Sequence, residues 1–337
     1  MRKLVSFITA AALAVSLLAG CASAPPSSSN QSPNSGAPAE PKAVFKIGMI
    51  QHVEHPSLAT IREALIEELS RLGLDGKVDI EYKNAQGDPA NISTIVTQFV
   101  ADGKDMLVPI ATPSAQAAAA ATKTIPIVFA SVSDPITAGL VKDLSITDGN
   151  ITGVSNPIPV DKIIEFGQQL TPGIKTLGVV YCNGETNSFS SVEKLRRYAA
   201  DSGLTLVEAT IANSSELRQA AQSLVGRVDA IFTPNDNVVA TAMTTLSDVA
   251  IQAKLPLYVG ADSLVADGGL ATVGIDYAVL GRQTAALIKE IIEGKAIADA
   301  PVQSMTDFAK ILNTDTAQKL GLTIPPALLE GAQLMGS

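Results

Sequence analysis

From Val44 onward the chain alternates short aliphatic runs with amphipathic stretches, and this alternation limits the possible folds more than any other feature. "VFKIGMI" (44–50) is apolar and branched, the pattern of a buried strand. "PSLATIREALIEELSRLG" (56–73) follows, with Ile61, Leu65, Leu69 and Leu72 on one helical face and Gly73 at the stop. The series continues with strands at "KVDIEYKNA", "DMLVPIA", "PIVFASV" and "ITGV", and helices at "PANISTIVTQFVADG" and "PSAQAAAAATK". After "NPIPVDK" it starts again. "TLGVVYC", "LTLVEATI", "DAIFTP" and "LPLYVG" read as strands; "SSVEKLRRYAADSG", "SSELRQAAQSLVG" and "NVVATAMTTLSDVAIQAK" read as the helices between them. Strands alternating with helices imply parallel pairing through right-handed crossovers. No sequence repeat of fixed period accompanies the two series. The expected fold class is α/β, with two doubly wound parallel-sheet lobes.

A length of 337 residues also favours two cores over one. The formal charge of −9 argues against nucleic acid as a partner, since phosphate neutralisation needs a basic surplus. Before the alternation begins, Arg2 and Lys3 precede the apolar run "LVSFITAAALAVSLLAG", which is short for a spanning helix and has signal-peptide flanks. It ends in "LAGC", which resembles the bacterial lipobox, so Cys21 is the expected lipidation site and mature N-terminus. Serine, proline and asparagine dominate from Ala22 to Lys42, the composition of a disordered tether. With Cys21 acylated, Cys182 has no partner for a disulfide; in its valine-rich run it reads as a buried, inert thiol.

Parallel sheets bind ligands outside the carboxyl ends of their strands, where loops meet helix N-termini. Those loops are short and polar here. In the first half they are residues 51–55, "TPSAQ" (112–116) and "SVSDP" (131–135); in the second, "NGETNS" (183–188), "PNDN" (234–237) and "GADS" (260–263). Six polar strand ends suit a cleft between two lobes.

The segments "IQHVEHPSL", "IATPSAQAA", "IPIVFASVSDP", "NITGVSNP", "NGETNS", "PNDN" and "GIDYAVLG" together resemble the substrate-binding lipoproteins of the tryptophan/tyrosine-type ABC transporter family. The resemblance implies a type I periplasmic-binding-protein fold: two lobes, a multi-strand hinge and closure around a small ligand, here an aromatic or other hydrophobic amino acid. It implies an extracytoplasmic, monomeric receptor without cofactor, tied to the membrane through Cys21 and serving an ABC permease with its ATPase. On this fold the chain crosses between lobes near 156–159, 274–277 and 300–302. Lobe 1 is then expected to take 43–156 plus 277–300, and lobe 2 157–276 plus 301–337, behind a leader at 1–20 and a tether at 21–42. A sugar or nucleoside receptor, or a sensor for a signalling partner, is the alternative.

Among the loops, "HVEH" suggests a metal through His52, Glu54 and His55. Neighbouring side chains on a strand point to opposite faces, and the chain has no third histidine to complete a site, so no metal is expected. Gln51 and Glu54 are instead expected to face the cleft, with His55 near the helix N-cap before Pro56. Thr112 and Ser114 open an alanine-rich helix, where hydroxyls and free N–H groups suit a carboxylate; N-capping alone also explains Thr112. An ammonium needs a desolvated acid, for which Asp134, Asp236, Asp262 and Glu185 are candidates. Ser131, Asn187, Ser188 and Asn235 complete the expected ligand-binding set. Enzymatic readings lack support: there is no P-loop and no G-x-S-x-G elbow, and "SVEK" falls inside an amphipathic helix without its companion motifs.

Overall fold

The structure, a computed structural model, describes residues 44–146 and 149–336. The expected leader, Cys21 and the tether lie outside the described residues. In chain order the elements are β1 (Phe45–Gln51), α1 (Pro56–Arg71), β2 (Val78–Asn84), α2 (Pro89–Ala101), β3 (Met106–Ile110), α3 (Thr112–Ala121), β4 (Ile127–Val132) and β5 (Ile151–Ser155). There follow α4 (Val160–Leu170), β6 (Thr176–Cys182), α5 (Thr186–Ser202), β7 (Thr205–Ile211), α6 (Leu217–Leu224), β8 (Ala230–Thr233), α7 (Asn237–Ala240) and α8 (Met243–Gln252). The chain closes with β9 (Leu257–Val259), α9 (Asp262–Ala266), β10 (Ala271–Gly274), α10 (Tyr277–Ile292), β11 (Gln303–Ser304), β12 (Ala309–Asn313), α11 (Thr314–Leu320), α12 (Pro326–Leu329) and β13 (Ala332–Met335).

The strands form two sheets, ordered β11-β5-β4-β3-β1-β2 and β13-β12-β10-β9-β8-β6-β7. The first is parallel throughout; in the second only β10 and β12 run antiparallel. The continuous apolar runs follow from helices covering both faces: β3, β4 and β5 are buried at every position. Phe166, Phe232 and Tyr258 fill the second lobe's core. In the first, α10 lies against α1, and Gly281 sets their separation, since a Cβ there would stand 2.5 Å from the Ile61 carbonyl oxygen. Among the described residues no helix is long and apolar enough to cross a membrane.

Each sheet reverses direction once. In the first, β2 lies on one side of β1 and β3 on the other; in the second, β7 and β8 flank β6 in the same way. The crevices beside these switch points, β1/β3 and β6/β8, are where such folds take ligands.

Three findings differ from the sequence reading. The segment after Pro159 forms α4, a helix packed on the second sheet, whereas "NPIPVDK" reads as a connector. The single helix expected over 237–254 is split. The Ala242 N–H bonds the Val239 carbonyl, the Thr241 hydroxyl folds back onto the Val238 carbonyl, and Ala242 leaves helical geometry at φ −137°. Finally, β11 pairs with β5 in the first sheet, so the last passage between sheets lies at 305–308, later than the expected 300–302.

Candidate functional site

A polar and apolar pocket lies between the two switch points, with about 390 Å³ of space between its lining atoms, part of it open to solvent. Its first-lobe wall consists of His55 and Leu58 after β1, Ala111 and Thr112 after β3, and Ser131 and Ser133 at the end of β4. The second lobe supplies Asn187 after β6, Asn235, Asp236, Asn237 and Ala240 after β8, and Ala261, Ser263 and Leu264 after β9; Tyr277 closes the hinge side. Gly260 allows this crowding, because a Cβ there would come within 2.4 Å of the Asn235 backbone nitrogen.

The first-lobe wall is strained. Ala111 (φ 79°, ψ 157°) and Ser131 (φ 63°) both occupy left-handed backbone that non-glycine residues avoid, at a cost of about 1–3 kcal/mol each. Both line the cavity, as strain held at a working site would.

The second-lobe wall is organised by two buried acids. Glu185 precedes α5, and its Oε2 accepts from the Asn237 backbone N–H (3.0 Å), Asn237 Nδ2 (2.9 Å) and Asn187 Nδ2 (2.9 Å). Burial opposes its ionisation, but those donors and His52 outweigh it and hold the carboxyl below its usual range. His52 Nε2 lies 3.8 Å from Glu185 Oε1, longer than a hydrogen bond. Asp236 caps α7 through the Val239 N–H (2.8 Å) and also accepts from the Cys182 N–H (2.6 Å) and the Ser188 hydroxyl (2.7 Å). Burial and the nearby Glu185 charge raise it to about 7. Burial likewise pushes the Cys182 thiol up to about 11, in keeping with an inert role.

The expected ligand-binding residues divide into two groups. Thr112, Ser131, Asn187, Asn235 and Asp236 meet at the cavity. The others do not line it. Gln51 and Glu54 turn to the outer edge of the first sheet. Gln51 Nε2 donates to Glu54 (3.1 Å) and to the Val53 carbonyl (2.8 Å), and Gln51 Oε1 accepts from Arg62 (3.0 Å). Asn84 also holds Glu54 (2.7 Å). Asp134 and Asp262 join the lobes rather than a ligand, accepting from Ser190 (2.6 Å) and Ser57 (3.0 Å) respectively. Glu185 and Ser188 stand behind the wall as supports, and Ser114 is buried with no hydrogen-bond partner for its hydroxyl. Further cross-lobe hydrogen bonds run from Asn235 Nδ2 to Ser133 Oγ (2.8 Å) and from Gln116 Nε2 to Thr186 Oγ1 (3.3 Å).

Sequence reasoning missed His55, Ser133, Asn237, Ser263 and Tyr277 as lining residues, although all five fall in the quoted polar loops or in "GIDYAVLG". Their signal was position after a strand. The histidines drew attention as metal ligands instead, and among the described residues no cluster is arranged to hold a metal ion.

Two doubly wound lobes closed over a mixed polar and apolar cavity at both switch points define a solute receptor of the type I periplasmic-binding-protein class. The chain belongs to the ABC transporter substrate binding protein family, whose sequence model matches residues 46–335. The family comprises extracytoplasmic receptors that collect small solutes for ABC permeases, not enzymes. A tyrosine-binding protein of Clostridioides difficile (strain R20291) is 39% identical over 323 residues, covering 95% of this chain and 93% of its own. A Streptococcus pneumoniae ABC domain crystallised with L-Trp is 38% identical, with 87% of this chain and all of its own covered, at a TM-score of 0.84. The ligand-free, open structure of a Clostridium difficile substrate binding protein with adhesive properties has the same identity and coverage, but a TM-score of 0.69. Equal relatedness with unequal superposition points to lobe arrangement. The cross-lobe bonds make the present arrangement the closed one.

Proposed function

We propose that this protein is the lipid-anchored, monomeric receptor of an ABC importer and that it closes around an aromatic amino acid, which it delivers to the permease and its ATPase. The observation that carries the reading is the lining of the cavity, which includes groups suited to each part of such a ligand. The ring suits the apolar lining side chains, Leu58, Ala240, Ala261, Leu264 and Tyr277. The carboxylate suits Thr112 and the free N–H groups in the first turn of α3. The ammonium suits Asp236, the only acid lining the cavity among the described residues, beside Asn187 Oδ1 and Asn235 Oδ1, which have no protein partner. Asp236 keeps one lone pair on Oδ1 after its three hydrogen bonds, and the ligand's charge offsets a buried acid pair. The relatives known with tyrosine or L-Trp support the same ligand class.

Calorimetric titration of the protein with the twenty amino acids, with sugars and nucleosides as controls, tests the reading. An aromatic amino acid should bind most tightly, and a sugar or nucleoside binding in its place would refute the assignment. For the anchor, Cys21→Ser should shift the protein from the membrane to the soluble fraction; unchanged partition would remove lipidation from the account.

A further inference from the structure

Resting on the aromatic amino-acid reading, we propose that Asn187 makes the amino end of the site specific for a primary ammonium, so that the receptor turns away N-methylated amino acids and their 2-hydroxy counterparts. The direction of the Asn187 amide is fixed by its partners. Nδ2 donates to the Asn235 backbone carbonyl (3.1 Å) and to Glu185 Oε2 (2.9 Å). A backbone carbonyl can only accept, and so can the ionised Glu185 carboxylate. Turning the amide over would set its oxygen against both of theirs. Ser188 agrees: its hydroxyl gives its proton to Asp236 (2.7 Å) and has only lone pairs to turn toward Asn187 Nδ2 (3.4 Å). That leaves Asn187 Oδ1, buried and without a protein partner, as the polar atom this residue can offer in the cavity it lines.

Two further acceptors belong to the same hydrogen-bonded cluster. Asp236 keeps a lone pair on Oδ1 and is tied to Asn187 through Ser188. Asn235, whose carbonyl holds Asn187, directs its own Nδ2 to Ser133 (2.8 Å) and leaves Oδ1 buried without a partner. Three acceptors therefore stand open, and a primary ammonium carries three hydrogens. An N-methyl group removes one hydrogen and keeps the charge; a 2-hydroxyl supplies one hydrogen and no charge. Either ligand would close the lobes over a buried acceptor left without a donor, and sites built on polar partners discriminate most sharply in that situation. Asn187 is the member that cannot adapt. Asn235 bonds a hydroxyl, which can donate or accept, whereas both Asn187 partners on the wall are acceptors only.

The test is a set of calorimetric affinities for tryptophan, Nα-methyltryptophan and indole-3-lactate, with the matching tyrosine series alongside. The intact protein should prefer the primary amino acid over each analogue by about tenfold or more. Asn187→Leu removes the acceptor without opening space for a methyl group. It should weaken the primary amino acid by about tenfold and bring its preference over the Nα-methyl ligand to within about threefold. If the primary amino acids bind and either analogue binds as tightly, the amino end does not select for three hydrogens, and the ligand class stands. A preference that survives intact in Asn187→Leu would likewise remove Asn187 from the account and leave simple exclusion of the methyl group. If neither tryptophan nor tyrosine binds, the ligand class itself is wrong and the role of Asn187 falls with it. The analogues are measured on the intact protein, so a misfolded Asn187→Leu variant does not block the answer.

Discussion

The two lobes bring differently prepared walls to the same cavity. The second-lobe wall is wired: Glu185 and Asp236 each satisfy three donors, and through them Asn187, Asn237, Ser188 and the Cys182 backbone are held in place. The first-lobe wall is held by backbone shape instead, with Ala111 and Ser131 in left-handed conformations and His55 Nδ1 left open. In a low-dielectric interior a satisfied network of this kind fixes geometry strongly, and a half-broken one is costly. Changes on the second-lobe wall should therefore register in folding as well as binding. On the first-lobe wall they should register mainly in binding, and some should even stabilise the fold.

The largest effect is expected at Glu185. Truncation in Glu185→Ala leaves three buried donors unsatisfied and should lower unfolding free energy by about 3 kcal/mol or more in a urea titration. A loss as small as that of a surface residue would show that the wiring does not hold the wall.

Asp236 gives a pH signature. Its carboxyl is raised from 3.8 to about 7 in the fold, so between those values the folded protein holds a proton that the unfolded chain releases, and stability falls as pH rises. Asp236→Asn should flatten that slope in denaturation curves taken from pH 4 to 7. The same group makes ligand binding proton-linked. An ammonium beside Asp236 favours its ionised form, so affinity should rise with pH up to about 7 and level off above it. Affinity independent of pH over that range would place the ammonium elsewhere.

The first-lobe wall should behave in the opposite way. Ser131→Gly relieves a positive φ and should stabilise the protein by about 1 kcal/mol while weakening ligand binding. Destabilisation, or unchanged affinity, would count against strain being held there for the ligand. The smallest effect belongs to Glu54, half-exposed at the sheet's outer edge: Glu54→Ala should change affinity less than about twofold, by the usual behaviour of surface sites.

Glu54 also marks the limit of what could be read from the sequence. The parallel lobes were legible because buried strands and amphipathic helices leave distinct periods, and the polar loops located the cleft because ligands collect at strand ends. Side-chain direction beyond a strand end was not legible. Past Gln51 the chain leaves the period-two rule, so Gln51 and Glu54 turn to Arg62 and Asn84 while His52 and His55 line the cleft side. The four candidate acids were equivalent in the sequence because their partners are distant: Asp134 meets Ser190, Asp262 meets Ser57, and Glu185 meets Asn237. Only the folded chain leaves Asp236 on the wall. Helix α4 was missed because Pro157 and Pro159 mark a break without saying that a helix starts just after it.

Both walls form one site only when the lobes are closed, and small-angle scattering tests that directly. With saturating tryptophan or tyrosine the radius of gyration should fall relative to the free protein, and a sugar should leave it unchanged. An aromatic amino acid that binds without compacting the protein would contradict a ligand site built by closure of the two lobes.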